Sequence, residues 1–115
     1  MKVISLANQK GGCGKSTIAI NLALNWALQK KRVILFDTDP QKSSYETLQV
    51  GEDKLCKVVA VYSDIYQALE KYDFYYDYAI IDTPPHDNEI VTVSVVCSDL
   101  VIIPVGKHGS PGSAP

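Results

Sequence analysis

The sequence predicts an α/β domain in which a mostly parallel sheet is flanked by helices. Residues 3–7, 33–36 and 78–81 form short apolar runs, and such runs are typical of strands buried on both faces of a parallel sheet. Between the first two runs, Ile18, Leu22 and Trp26 recur at the spacing of one helical face, which predicts a helix. The alanines beside them are small enough for close packing on a sheet.

The segment between the first strand and this helix has the features of a phosphate-binding loop. Residues 10–17 are Lys-Gly-Gly-Cys-Gly-Lys-Ser-Thr. The usual motif is glycine, four residues and then Gly-Lys-Ser/Thr, but Gln9 stands at the first glycine position and Lys10 opens the loop. Glycine backbone can approach an oxyanion closely, and the N–H groups and dipole of the following helix attract phosphate. The alternative is a tight glycine turn without a ligand.

In a loop of this kind, Lys15 reaches the β- and γ-phosphates and the Ser16 hydroxyl binds Mg²⁺. Thr17 lies one residue too far for the metal and is expected to support the first helical turn. The residues predicted to form the nucleotide-binding segment are Gly11, Gly12, Cys13, Gly14, Lys15, Ser16 and Thr17.

Aspartates end the other two apolar runs. Asp37 and Asp39 follow one run, and the two-residue period of a strand predicts that both lie on the same side, with Thr38 opposite. Asp82 follows the other run. Ligands of open α/β sheets bind at the carboxyl ends of the strands, so we expect the carboxylates to lie near the phosphate loop. An aspartate placed like Asp82 typically holds Mg²⁺ directly or through water.

Composition restricts the other classes of site. The chain has 115 residues and a net charge of −2, which argues against a protein that coats DNA through its overall charge. Its three cysteines have no Cys-x-x-Cys spacing, so neither a zinc site nor a disulfide framework is indicated. The apolar runs are too short to predict a membrane span.

Taken together, these motifs resemble the ParA family of partition ATPases, whose phosphate loop has the form Lys-Gly-Gly-x-Gly-Lys-(Ser/Thr)-Thr. The resemblance extends from Met1 to about Val105 and includes residues 37–41, 81–85 and 98–105. No DNA-binding segment precedes the loop, so the chain is similar to the small plasmid-type members. The resemblance implies a P-loop NTPase domain over residues 1–105 that lacks the C-terminal part of the family fold. Residues 106–115, rich in Gly, Ser and Pro, are predicted to form a flexible tail.

The resemblance also implies roles for individual residues. Lys10 reaches the phosphates of a partner across an ATP-bridged dimer, and Asp39 orients the attacking water. With Lys15 on the phosphates, these form the predicted catalytic set, and the predicted metal ligands are Ser16, Asp37 and Asp82.

As a function, the resemblance implies weak ATP hydrolysis with ATP and Mg²⁺ as cofactors. It implies an ATP-dependent homodimer that binds non-specific DNA, associates with the nucleoid in the cytoplasm and responds to a centromere-binding adaptor protein during plasmid or chromosome segregation. One alternative is a module that binds nucleotide without turnover. Another is a related ATPase that positions a protein complex.

The other elements follow from local patterns. A short helix is predicted from Ser43 or Ser44 to about Gln49, a strand over residues 57–61 and a helix over residues 63–72. Residues 90–96 are mostly β-branched and favour a strand, but the resemblance implies a helix there.

Two surface features leave alternatives open. The tyrosines of residues 72–78 are expected to form an aromatic cluster around Phe74 that packs against the sheet edge. The alternative is an autophosphorylation cluster. Lys30, Lys31 and Arg32 suit the negative end of the helix dipole, with a DNA-binding patch as the alternative.

Overall fold

Five parallel strands form one sheet in the computed structural model, which describes residues 1–7, 14–40, 56–85 and 89–105. The order across the sheet is β3-β2-β4-β1-β5, and every neighbouring pair is parallel. The predicted α/β fold with a parallel sheet is therefore confirmed. The strands are β1 (Lys2–Leu6), β2 (Val33–Asp37), β3 (Lys57–Ala60), β4 (Tyr78–Asp82) and β5 (Leu100–Ile102).

Helices cover both faces of the sheet. Helix α1 (Lys15–Leu28) packs on one face, and helices α2 (Ile65–Tyr72) and α3 (Glu89–Val96) pack on the other. Strand residues alternate between the two cores because successive side chains point to opposite faces. The core under α1 contains Leu6, Ala19, Ala23, Val33, Leu35, Val58 and Ile80, and the other core contains Val3, Ile34, Phe36, Ile65, Leu69, Ala79 and Ile81.

The alanines of α1 make its closest contact with the sheet. Ala19 and Ala23 are fully buried, whereas Ile18, Leu22 and Trp26 are partly buried at the margin of the same core. The helix therefore approaches the sheet through its small residues, and the larger side chains lie on either side of that contact.

Helix α3 forms although its sequence favours a strand. The helix that the resemblance implies is observed over Glu89–Val96. Ile90 and Val93 pack against the core beneath it, and packing of this kind overrides local propensity. The buried Ser94 hydroxyl donates a hydrogen bond to the Ile90 carbonyl oxygen at 2.6 Å, so its polar group is satisfied within the helix.

The predicted helix over residues 63–72 is observed as α2. Its first turn is capped by Asp64, whose side chain accepts a hydrogen bond from the Gln67 N–H at 3.0 Å. The predicted strand over residues 57–61 is observed as β3. The helix predicted near residues 43–49 and the tail predicted over residues 106–115 lie outside the described residues.

The expected single aromatic cluster is wrong. Phe74 is 88% exposed, while Tyr72 packs near Phe36 and Tyr76 with ring centroids 5.9 and 6.0 Å away. Tyr78 stacks on Trp26 at 4.2 Å, in the other core. The tyrosines separate because β4 begins only at Tyr78, so strand alternation does not govern the residues before it.

The basic triplet lies in the turn after α1. Lys30 adopts a positive φ of 68°, and the N–H groups of Lys30 and Lys31 donate to the carbonyl oxygens of Ala27 and Trp26. This is the hydrogen-bond pattern of a Schellman motif, which satisfies the last carbonyl groups of a helix. The triplet therefore follows the helix and does not form its last turn.

Arg32 joins the start of β2 to the start of β4 through Asp77. The guanidinium lies 3.1 Å from the Asp77 carboxylate, which also accepts a hydrogen bond from the Arg32 backbone N–H at 2.8 Å. The side-chain hydrogen bond from Arg32, followed by the backbone hydrogen bond, lowers the pKa of Asp77. A carboxyl group whose pKa is lower in the folded state adds stability above its unfolded pKa. That contribution is lost as the pH falls through the folded pKa.

We therefore expect Asp77→Asn to lower the free energy of unfolding slightly at neutral pH, because exposed ion pairs contribute little. The difference from the parent chain should shrink below about pH 4, where the unfolded carboxyl group is protonated. Urea unfolding at both pH values, followed by Trp26 fluorescence, measures it. If the difference in unfolding free energy between the parent chain and Asp77→Asn did not change with pH, the stabilisation by the Asp77 carboxylate would be contradicted.

None of the helices in the described parts of the chain has the length and apolar character that a membrane span requires.

Candidate nucleotide-binding site

The candidate site lies where the carboxyl ends of β1, β4 and β2 meet the N-terminus of α1. Leu6 and Asp37 are both the register partners of Asp82 in the sheet. Asp37 and Asp82 are 0% and 1% exposed. Neighbouring parallel strands thus place two buried carboxylates at the same edge, where open α/β sheets bind ligands.

The first turn of α1 contributes a hydroxyl group to this edge. The Ser16 Oγ donates a hydrogen bond to Asp82 Oδ2 at 2.8 Å. Gly14 precedes the helix with φ 83°, a conformation that glycine adopts without steric cost, and its carbonyl oxygen accepts the first helical hydrogen bond, from the Ile18 N–H at 2.9 Å. The glycine therefore allows the turn that brings Ser16 to Asp82.

Lys15 is the first residue of α1 and is only 8% exposed. The first N–H groups of a helix have no partner within the helix, and the helix dipole adds positive potential there. The first turn of α1 contains no acidic residue that would compete for these groups. A buried ammonium group at this position favours an anion. Thr17 is exposed in the first turn of α1.

The segment after β2 begins with a turn. Strand β2 ends at Asp37, and the Asp39 N–H donates to Asp37 Oδ1 at 3.0 Å. Such a contact from an aspartate to the backbone two residues later forms a turn. Asp39 is half-buried directly after this turn. That its side chain lies on the same side as that of Asp37 stays a prediction.

The donor set fits magnesium. The Ser16 hydroxyl and the carboxylates of Asp37 and Asp82 are all oxygen donors, which Mg²⁺ prefers, and Mg²⁺ usually binds one or two carboxylates together with substrate phosphates and water. Within the described residues, no group of three or more His, Cys, Asp and Glu side chains could hold a metal ion. A site that is completed by phosphate oxygens agrees with both observations.

Part of the predicted loop is outside the described residues, namely Lys10, Gly11, Gly12 and Cys13. The roles expected for these residues stay predictions.

Sequence reasoning missed two buried threonines beside the site. The Thr38 Oγ1 donates to the Asp82 carbonyl oxygen at 2.8 Å, and the Thr83 Oγ1 donates to the Leu6 carbonyl oxygen at 2.5 Å. The signal that could have identified them is the Asp-Thr dipeptide, which ends both β2 and β4.

The comparisons with known proteins identify the family of this chain. A family model described as an AAA domain matches residues 1–71, which is more than half of the chain. The sporulation initiation inhibitor protein Soj of Bacillus subtilis is 30% identical over 146 residues, covering 90% of this chain and 58% of Soj. This chain belongs to the ParA family. Another member similar to it is the maintenance of carboxysome distribution protein A of Halothiobacillus neapolitanus, 33% identical over 107 residues, covering 89% of this chain and 49% of that protein.

Solved structures share the fold of this ParA-family chain. Cobyrinic acid a,c-diamide synthase from Mycobacterium smegmatis, with bound ADP and magnesium, matches with a TM-score of 0.80 and 24% identity, covering 90% of this chain and 59% of that chain. A putative plasmid partition protein from Borrelia burgdorferi bound to AMPPNP matches with a TM-score of 0.72 and 26% identity, covering 90% and 62%.

A third structure, pNOB8 ParA bound to nonspecific DNA, matches with a TM-score of 0.73 and 24% identity, covering 97% of this chain and 55% of that chain. The chain spans about half the length of the curated relatives it matches.

Proposed function

We propose that this chain binds ATP together with Mg²⁺ at the candidate site. The observation that carries the proposal is the Ser16 hydroxyl held 2.8 Å from the Asp82 carboxylate. A loop serine and a strand-end aspartate are the pair through which P-loop NTPases hold Mg²⁺. The similar solved structures with bound ADP and magnesium, and with bound AMPPNP, support the same ligands.

In this proposal Lys15 places its charge against the β- and γ-phosphates, and the N-terminus of α1 adds its N–H groups. Bound Mg²⁺ neutralises charge on the β- and γ-phosphate oxygens. Ser16 and Asp82 hold the ion, and Asp37 lies on the neighbouring strand to bind it directly or through water. Asp39, half-buried at the edge of the site, orients the attacking water.

We further propose that ATP hydrolysis is slow and requires self-association. Lys10 of one chain would reach the phosphates bound by a second chain and stabilise the charge of the transition state. A cationic group supplied across an interface in this way is worth roughly 10³ to 10⁵ in rate. A chain of this family would then serve plasmid or chromosome segregation, as an ATP-dependent dimer that binds non-specific DNA on the nucleoid and responds to a centromere-binding adaptor.

A second candidate is the positioning of a protein complex. The carboxysome distribution protein of Halothiobacillus neapolitanus, 33% identical over 107 residues and covering 89% of this chain, supports this candidate. Selective retention of either a DNA-bound adaptor or a protein complex by the ATP-bound protein distinguishes the candidates.

The dependence of ATP turnover on protein concentration tests whether hydrolysis requires two chains. We expect ATP turnover per chain to rise with protein concentration, because two chains are needed to complete each site. Lys10→Ala should lower turnover by roughly 10³-fold or more while nucleotide still binds. Lys2→Ala is the matched control, since Lys2 is an exposed lysine at the opposite end of β1.

Turnover per chain that stays constant across concentrations would contradict the two-chain site. Nucleotide binding without any turnover would instead support a module that binds ATP and does not hydrolyse it.

A further inference from the structure

The two buried threonines at the site, Thr38 and Thr83, make the same contact on neighbouring strands. Each follows the aspartate that ends its strand, and each donates both its N–H and its hydroxyl to one carbonyl oxygen of the next strand. Thr38 donates to the Asp82 oxygen at 3.1 and 2.8 Å, and Thr83 donates to the Leu6 oxygen at 3.3 and 2.5 Å. The contacts therefore connect β2 to β4 and β4 to β1.

For two residues after Thr83 the chain has no backbone N–H group to donate to a neighbouring strand. Pro84 and Pro85 follow Thr83, and proline has no backbone N–H to donate. Pro40 similarly lies two residues after Thr38. Asp82 is the last residue of β4 and precedes two prolines that donate no backbone hydrogen bond. Its carbonyl oxygen is held by Thr38, and Thr83 follows it directly.

Satisfying the carbonyl oxygens does not by itself require hydroxyl groups. Each of these two oxygens already accepts a hydrogen bond from a threonine N–H, and a valine would retain that bond and the shape of the side chain. Thr38 and Thr83 are 2% and 1% exposed. A buried hydroxyl is costly unless it is hydrogen-bonded. What the hydroxyl groups add is a second bond that fixes the position of one strand end against the next.

We propose that Thr38 and Thr83 are positioning residues that hold the Asp82 carboxylate where it can bind Mg²⁺ beside Ser16. The inference rests on the proposed Mg·ATP function and assigns two further residues to it. The Ser16 hydroxyl holds Asp82 through its side chain. Thr38 binds the Asp82 carbonyl oxygen, and Thr83, the next residue in the chain, binds the Leu6 carbonyl oxygen on the other side. Partners that orient a metal-binding side chain are typically worth 10- to 100-fold in metal affinity.

The test compares ATP affinity with Mg²⁺ and with a chelator, in the parent chain and in Thr38→Val, Thr83→Val and Thr83→Ser. The ratio of the two affinities measures how well Mg²⁺ is held. We expect each valine variant to lower this ratio roughly 10-fold, with Mg²⁺-free affinity close to that of the parent, and the serine variant to restore it. Thr92→Val, at an exposed position of α3, is the control.

Amide hydrogen exchange in the ligand-free protein provides a second readout. Exchange should be faster at the amide of residue 38 in Thr38→Val and at the amide of residue 83 in Thr83→Val, because one of the two hydrogen bonds that hold each strand end is lost. The far-UV circular dichroism should stay that of a folded chain.

The outcomes separate the two proposals. A parent chain that binds no nucleotide would overturn the proposed function and this inference with it. If the valine variants had the same ratio of ATP affinities with and without Mg²⁺ as the parent chain, only the role of the threonines would be overturned. An equal loss of affinity with and without Mg²⁺ would have the same consequence.

Discussion

Lys15→Ala is expected to abolish most of the ATP affinity of this chain. The lysine is 8% exposed at the start of α1, where the helix N-terminus already favours an anion. Each hydrogen bond to a charged group is worth about 1.5–3 kcal/mol, and Lys15 would contact two phosphates. The loss is therefore about 3 kcal/mol or more, which weakens binding at least roughly 100-fold. Calorimetric titration of Mg·ATP measures it.

Lys57→Ala is the matched control for this substitution. Lys57 is exposed at the first residue of β3, at the edge of the sheet opposite the site, and its removal changes the net charge by the same amount. Its affinity should equal that of the parent. If Lys15→Ala bound as tightly as Lys57→Ala, the phosphates would have to bind elsewhere.

Asp82→Asn is expected to remove the effect of Mg²⁺ on ATP affinity. The carboxylate is 1% exposed, lies beside Asp37 in register and accepts the Ser16 hydroxyl. An amide keeps the size of the side chain and an acceptor for Ser16, but it lacks the negative charge that a hard cation requires. The affinities measured with Mg²⁺ and with a chelator should become nearly equal, a loss of at least about 100-fold in the Mg²⁺ effect.

Asp73→Asn serves as the control for Asp82→Asn. Asp73 is an exposed carboxylate that lies 3.4 Å from the amino group of Met1 and outside the site. It should leave the Mg²⁺ effect intact. An Asp82→Asn variant that still bound ATP much more tightly with Mg²⁺ would show that the ion is held by other residues.

The positions of the buried carboxylates could be predicted because they depend on one general rule. Parallel strands end at the same edge of a sheet, so the aspartates that end β2 and β4 meet there. The rule stops where the strand stops. After the end of β2, the Asp39 N–H donates a hydrogen bond to the Asp37 carboxylate, a contact that the period of a strand does not predict.

Other features depend on contacts that the local sequence does not contain. The hydrogen bonds of Thr38 and Thr83 reach across strands far apart in the chain, so the two Asp-Thr dipeptides mark the residues but do not predict their partners. Residues 90–96 favour a strand locally but form α3, since Ile90 and Val93 contribute to the core beneath it. Phe74 was expected at the centre of a cluster, but the turn before β4 leaves it exposed.

The arrangement of the site follows from the two faces of the sheet. Helix α1 brings Lys15 and Ser16 from one face, and the segment after β4 leads from Asp82 toward α3 on the other. Asp82 contacts α1 through Ser16 and is hydrogen-bonded to the end of β2 through Thr38. A ligand that binds both Ser16 and Asp82 would therefore contact α1 on one face of the sheet and the end of β4, which is followed in the chain by α3 on the other face.

A calorimetric titration of Mg·ATP into the unsubstituted chain tests most directly whether the chain has a nucleotide site. We expect saturable binding of one nucleotide per chain, which weakens when a chelator removes Mg²⁺. A chain that is folded by circular dichroism but gives no saturable binding would contradict the claim that Lys15, Ser16 and Asp82 form a nucleotide site.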